Sequence, residues 1–349
     1  MASGFLANPI RFEGVHGPLP GLKANGWQGN GVPPWIAKNG GCPPLILNCG
    51  DPERVAKIGE LLEDRAILST GRGNVAIGIA THDGKKFPIM AFSTGMGEAS
   101  AEIMAKETLA HVSLEPNYYF DGQKLDTRNK VVLIRLGTCG GCNYKYKSGK
   151  LLEPVVDRPV LINATNNLTT GATIMESMGY PPSVLGMSKN HSLRKRFEAD
   201  WAAYGGKVVL VNGWPFIENR NSFSVRNAIT EAAEELGVAY HEGGTLSKAS
   251  LNLEQSSGRL FERLRKEREN KASEMEQATM AYLAKKYKYE CGLGIKTGMV
   301  ALVVGALPGT GYPEAGNKEH EEQMASGMEN LLKVAIAALS RFVLPDKKG

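Results

Sequence analysis

The chain has 349 residues, 42% of them hydrophobic and 22% charged, with a formal net charge of +5. This is the usage of a soluble globular protein and excludes disordered and collagen-like chains; 41 Lys and Arg against 36 Asp and Glu leave no case for a nucleic-acid partner without a concentrated basic stripe. No run nears the roughly 18 apolar residues of a membrane span, the start MASGFLANPIRFEG lacks the order of a secretory signal, and five cysteines, an odd number, suit reduced thiols, so a cytoplasmic protein is expected.

Residues 1–44 carry Gly and Pro heavily (GVHGPLPGL, GNGVPPW, NGGCPP) and read as an irregular N-terminal arm. At Pro44 the pattern changes: LILNC predicts a short strand, GDP a turn, and Val55, Ile58, Leu61 and Leu62 a helix over Glu53 to Asp64. Asp51 is a good N-cap and Pro52 fits the first helical turn. Val75 to Thr81 and Pro88 to Phe92 predict a hairpin. The Gly-rich STGMGEAS then opens a helix over Ala99 to His111, and Val131 to Leu136 predicts a strand that ends in GTCGG. Strands alternating with helices imply an α/β sheet, at least partly parallel, whose ligands gather beyond strand C-termini.

After a strand over Val160 to Ala164, residues 165–223 are polar with little sustained period and read as inserted or irregular structure. Pattern resumes with a helix over Val225 to Leu236, a strand near Gly237 to His241, a charged helix around Leu260 to Arg268, and a helix around Met275 to Lys286. A strand over Thr297 to Val304 and a long amphipathic helix from Glu319 to Phe342 close the chain.

Several clusters have the residue types for chemistry. In GDPERV, Gly50 lets backbone N–H groups approach an anion, the helix start adds positive potential, and Arg54 supplies a guanidinium; an ordinary capped helix with a surface arginine is the simpler reading of these residues alone. In RLGTCGG, Arg135 sits inside an apolar strand, where a charge needs an anionic ligand or a structural ion pair with a helix carboxylate; Thr138 follows in the turn. In SEMEQA, Glu274 and Glu276 flank Met275 at a helix opening, the chemistry of holding ribose hydroxyls beside a flexible apolar contact, or else plain complements to the helix dipole. Cys139 and Cys142 have CxxC spacing, but the second half of a zinc site is absent. The run RLFERLRKERENK reads as a solvated helix face.

Taken in order, GDPERV, STGMGEAS, RLGTCGG, SSGRL and SEMEQA resemble the nucleoside phosphorylase-I family in its uridine phosphorylase branch, over about residues 44 to 345. The resemblance implies a three-layer α/β/α fold around a mixed, partly barrelled sheet, with residues 45–349 as a single domain carrying an insertion around 165–223. It implies a transferase of pyrimidine salvage that cleaves uridine reversibly with inorganic phosphate as co-substrate, giving uracil and ribose 1-phosphate, and needs no cofactor. Gly50, Arg54, Arg135 and Thr138 match the phosphate site, with Arg72 supplied by an adjacent subunit, so that a dimer is the smallest competent unit. Met275 and Glu276 match the ribose-binding pair, and His16 corresponds to a histidine that reaches the 5′ hydroxyl from the neighbouring subunit. Arg259 matches a base-reading arginine, and its glutamine partner falls on Gln255 or, without a gap, on Ser257.

A second base arginine of the family is replaced by Ala306-Leu307, and the aspartate with which purine-specific members protonate the base is missing there, which implies a pyrimidine. Gly73 stands where some relatives carry the carboxylate of an interface cation site, so no metal is expected. Relatives are often hexamers; the arm and the insertion would mask surfaces between dimers, so a dimer is expected. The alternatives are a nucleosidase of the same fold, which uses water and lacks the arginine cluster, and a catalytically silent nucleoside-binding protein.

Overall fold

The computed structural model describes residues 43–70, 73–114, 117–120, 123–126, 131–141, 144–147, 150–154, 160–211, 213–248, 263–264, 266–291, 294–305 and 318–343. In chain order, β1 (Leu45–Cys49) leads into α1 (Pro52–Glu60), then β2 (Glu63–Thr70), β3 (Gly73–His82), β4 (Lys85–Ser93) and α2 (Glu98–Leu114). Two small hairpins, β5 (Asn117–Phe120) with β6 (Gln123–Asp126) and β8 (Tyr144–Lys147) with β9 (Lys150–Pro154), lie on either side of β7 (Val131–Gly141) in the sequence. There follow β10 (Leu161–Thr169), α3 (Ala172–Ser177), a 3-10 turn (Pro182–Gly186), α4 (Ser192–Ala203), β11 (Lys207–Val211), β12 (Trp214–Arg220) and α5 (Phe223–Glu235). β13 (Tyr240–Ser247), β14 (Asn270–Glu274), α6 (Gln277–Cys291), β15 (Ile295–Gly305) and α7 (Lys318–Ser340) complete the described elements.

One large mixed sheet organises the molecule. Its order runs β11-β12-β10-β13-β14-β7-β1-β4-β3-β2, and β15 pairs with both β10 and β7. The strands β10, β13, β14, β7 and β15 therefore close on themselves as a small barrel, filled by Cys139, Ile162, Ala164, Ala272, Met299, Ala301 and Val303. The strands beyond it stay an open sheet.

Alternation along the strands builds a core on each face. On one side Ile46, Val131 and Leu133 pack with residues of α2, α3, α4 and α6; on the other, Leu45, Leu47, Val132 and Ile134 pack with residues of α1, α5 and α7. Strands this apolar on both faces belong between helices, and the result is the expected three-layer α/β/α arrangement with a partly barrelled sheet.

Several local expectations need correction. The first helix stops at Glu60, not Asp64: the chain turns there and enters β2, which the sequence reading missed, through a bulge at which Asp64 has φ 44°. The strand expected near Gly237 to His241 starts at Tyr240 and runs on to Ser247.

Residues 165–223 are not irregular. They hold the end of β10, α3, the 3-10 turn, α4, β11 and β12, and Ile174, Met175, Val184, Leu185, Phe197, Trp201 and Ile217 sit in the core of the first face. Most of these elements are only five to seven residues long, too short for a helical or strand period to declare itself. The arm of residues 1–42 and residues 259–262 and 265 of the charged segment lie outside the described residues; within that segment 263–264 and 266–268 are helical.

Candidate active site

β1 runs parallel to both β4 and β7, with Cys49 opposite Ser93 and Leu136. The C-terminal ends of β1 and β4 therefore reach the same level beside Leu136 of β7, which itself runs on to Gly141. From β1 come Gly50 and the start of α1. Asp51 caps that helix, its carboxylate accepting the Glu53 N–H at 2.8 Å, with Pro52 in the first turn as expected. From β4 comes the turn Thr94 to Gly97, tied across by Thr94 N–H to the Cys49 carbonyl at 2.8 Å and Gly95 N–H to the Gly50 carbonyl at 2.9 Å. A Cβ on Gly50 would lie 3.2 Å from the Gly95 carbonyl and 3.6 Å from Arg135 Nη2, so only glycine leaves that approach open.

From β7 comes Arg135, 4% exposed. Its Nη1 donates to Asn48 Oδ1 at 3.2 Å and its Nη2 to Glu276 Oε2, while Nε lies 3.8 Å from Glu274 Oε2, beyond hydrogen-bond reach, and has no hydrogen-bond partner among the described residues. Arg54 is buried and donates to the Leu136 carbonyl at 3.5 Å. Both guanidinium charges act on Cys49, whose thiol burial pushes up to about 12 against their pull. Two cationic side chains thus meet at one buried strand end.

The segment between β14 and α6 supplies the carboxylates, and it separates two roles that the sequence left together. Glu274 ends the strand and does not open the helix. Its Oε2 accepts the N–H groups of Glu276 and Gln277 at 2.6 and 2.8 Å, and its Oε1 the Ser247 hydroxyl, so it serves as the cap of α6. Burial, then the neighbouring Glu276 charge, raise its carboxyl above the usual range. Glu276 faces the arginine: besides Arg135, its Oε1 accepts the Gly97 N–H at 2.8 Å. The arginine thus has the carboxylate ion pair that its place in an apolar strand calls for, and its Nε–H has no hydrogen-bond partner among the described residues.

The structure brings Gly50, Arg54, Arg135 and Glu276 together. It places Thr138 three residues beyond Arg135 on β7 and Met275 in the turn beside Glu276, both half-buried. His16, Arg72, Cys142, Gln255, Ser257, Arg259 and the Ala306-Leu307 pair lie outside the described residues. Asn48, Ser247 and Glu98 were missed. An asparagine within a short strand and an acid at a helix start carry no sequence signal of burial. Among the described residues no group of three or more His, Cys, Asp and Glu is set to hold a metal ion, and no helix is long and apolar enough to cross a membrane.

A three-layer α/β/α fold with buried guanidinium groups and a carboxylate at the ends of parallel strands defines a class of proteins that handle small anionic or sugar-bearing ligands. The chain belongs to the phosphorylase superfamily, which it matches over residues 44–340. Among solved structures it is similar to a Trypanosoma brucei nucleoside phosphorylase described as showing uridine phosphorylase activity, with a TM-score of 0.57 at 18% identity, covering 86% of this chain and 94% of that one. At that identity the likeness speaks for the fold. No curated relative matches.

Proposed function

We propose that the protein is a nucleoside phosphorylase that cleaves uridine with inorganic phosphate to uracil and ribose 1-phosphate. The observation that carries the reading is Arg135: a guanidinium buried at the C-terminal ends of parallel strands, next to Gly50 and Arg54, with an unbonded Nε–H. A buried donor without a partner is costly, and a phosphate oxygen satisfies it.

Phosphate sits between the Gly50 turn and the guanidinium groups of Arg54 and Arg135, near the Thr138 hydroxyl, with the partner subunit's Arg72 closing the site. Glu276, fixed by Arg135 and the Gly97 N–H, takes the ribose hydroxyls on its remaining lone pairs, and Met275 packs on the sugar. The partner subunit's His16 reaches the 5′ hydroxyl. A phosphate oxygen then attacks C1′ in line as the bond to the base nitrogen breaks, through an oxocarbenium-like state. Orientation of the nucleophile and fixed charge supply the rate. Arg259, with Gln255 or Ser257, stabilises the negative charge that spreads onto departing uracil. The smallest working unit is a dimer. The reaction belongs in the cytoplasm, where the buried thiols of Cys49 and Cys139 stay reduced.

The test is uracil release from uridine with and without inorganic phosphate, with inosine as the purine control. Phosphate-dependent cleavage of uridine alone is expected. Cleavage of inosine overturns the base assignment, cleavage without phosphate makes the protein a nucleosidase, and turnover of neither makes it a binding protein.

A further inference from the structure

Behind the arginine and its partners lies a third buried carboxylate that the proposed reaction does not use. Glu98, 4% exposed, is the first residue of α2 and follows Gly97, whose N–H holds Glu276. Its Oε1 accepts the Thr169 hydroxyl at 2.5 Å. Thr169 ends β10, and its oxygen in turn accepts the Gly171 N–H at 3.0 Å, so the hydroxyl proton points at Glu98. The Thr173 hydroxyl of α3 is its other side-chain partner. Residues 97 and 98 therefore strap the Glu276 turn to the C-terminal end of β10.

The charges around this strap do not balance. Glu276 is paired directly with Arg135, and Glu274 has two backbone N–H groups and a hydroxyl. Glu98 has hydroxyls only, and the charges that bear on it are those of Glu274 and Glu276, both of its own sign. Further along α2, Glu102 is taken by Lys106, and Lys286 of α6 donates to the Ser177 carbonyl. Glu98, buried beside two like charges and with hydroxyl partners alone among the described residues, is the carboxylate better off neutral. Burial first, then those two neighbours, push it up to about 7.

We propose that Glu98 is the positioning residue of the anion site: neutral, it keeps the Gly97 strap and hence Glu276 in place, and it takes up a proton from solvent when a divalent anion settles beside Arg54 and Arg135. The proposal rests on the phosphate site above. A dianion adds like charge near the carboxylates and moves Glu98 further towards its neutral form.

The probe is inorganic sulfate, which holds two charges throughout this range, titrated calorimetrically at pH 7.5 into the full chain in two buffers of different ionisation enthalpy. The wild type is expected to take up a measurable fraction of a proton per anion. The Glu98→Gln variant, which retains an acceptor for Thr169, is expected to bind sulfate with less than about a fifth of that uptake. Equal uptake in both proteins overturns the proposal alone, whereas sulfate binding to neither overturns the phosphate site and the proposal with it. If Glu98→Gln does not fold, difference infrared spectroscopy of the wild type decides. A carboxylic-acid carbonyl band must grow on adding sulfate, and its absence overturns the proposal.

Discussion

Arg135 is both ligand-ready and structural. Removing one partner of a buried ion pair leaves the other uncompensated, at about 3–5 kcal/mol. Arg135→Ala is therefore expected to lower unfolding stability by that order as well as to abolish phosphorolysis, and adding Glu276→Ala is expected to restore part of the stability without restoring activity. Urea unfolding of the two single variants and the double variant reads the coupling; additive losses contradict a direct pair. Glu98 makes a second prediction. Its folded value, about 7 against an ordinary 4.5, means that folding favours its neutral form. The stability it contributes is full below pH 4.5 and is lost as the pH rises towards 7, by at most about 3 kcal/mol. Going from pH 5 to pH 8, the wild type should lose stability relative to Glu98→Gln; parallel curves contradict this. The sequence showed Arg135 because a charge inside VVLIRLG is conspicuous. It hid Glu98, because an acid at a helix start is ordinary and its burial comes from β10, far away in the chain.

Helix α1 shows what local signals decide. Asp51 and Pro52 fixed its start, and the Asp51 carboxylate does accept the Glu53 N–H; Asp51→Ala is expected to cost about 1 kcal/mol, readable as a lower urea midpoint with an unchanged slope, and no loss contradicts the cap. The end of the helix was not legible, because Leu61 and Leu62 continue the apolar spacing while the chain has already turned. Leu61 is in fact 55% exposed. The elements between residues 165 and 223 were lost for a related reason. They are short, and what holds them is tertiary: Trp201 donates to the Lys207 carbonyl at 3.1 Å, Arg194 to those of Leu185 and Met187 at 3.0 and 2.8 Å, and Asn221 to that of Ala164 at 2.7 Å. In β14 and α6, a two-residue shift in where the helix begins, from Met275 to Gln277, separates the cap Glu274 from the site residue Glu276, and no periodicity resolves that.

At the scale of the molecule, alternation of strand and helix was enough for a layered α/β fold, while closure of β10, β13, β14, β7 and β15 into a barrel depends on pairings distant in sequence, and only the family resemblance implied it. The proposed sharing of the site across a dimer makes its own prediction. Arg72→Ala and Glu276→Gln should each be inactive, and when equal amounts are unfolded together and refolded, the mixture should regain about one quarter of wild-type activity, because about half of the dimers are mixed and each mixed dimer holds one intact site of two. No recovery contradicts a shared site. The most direct measurement for the whole account follows the phosphate itself: phosphorus NMR of the wild-type protein turning over uridine with inorganic phosphate. The account predicts one equivalent of ribose 1-phosphate for each uracil released; uracil released with free ribose, and the inorganic phosphate signal unchanged, would contradict it.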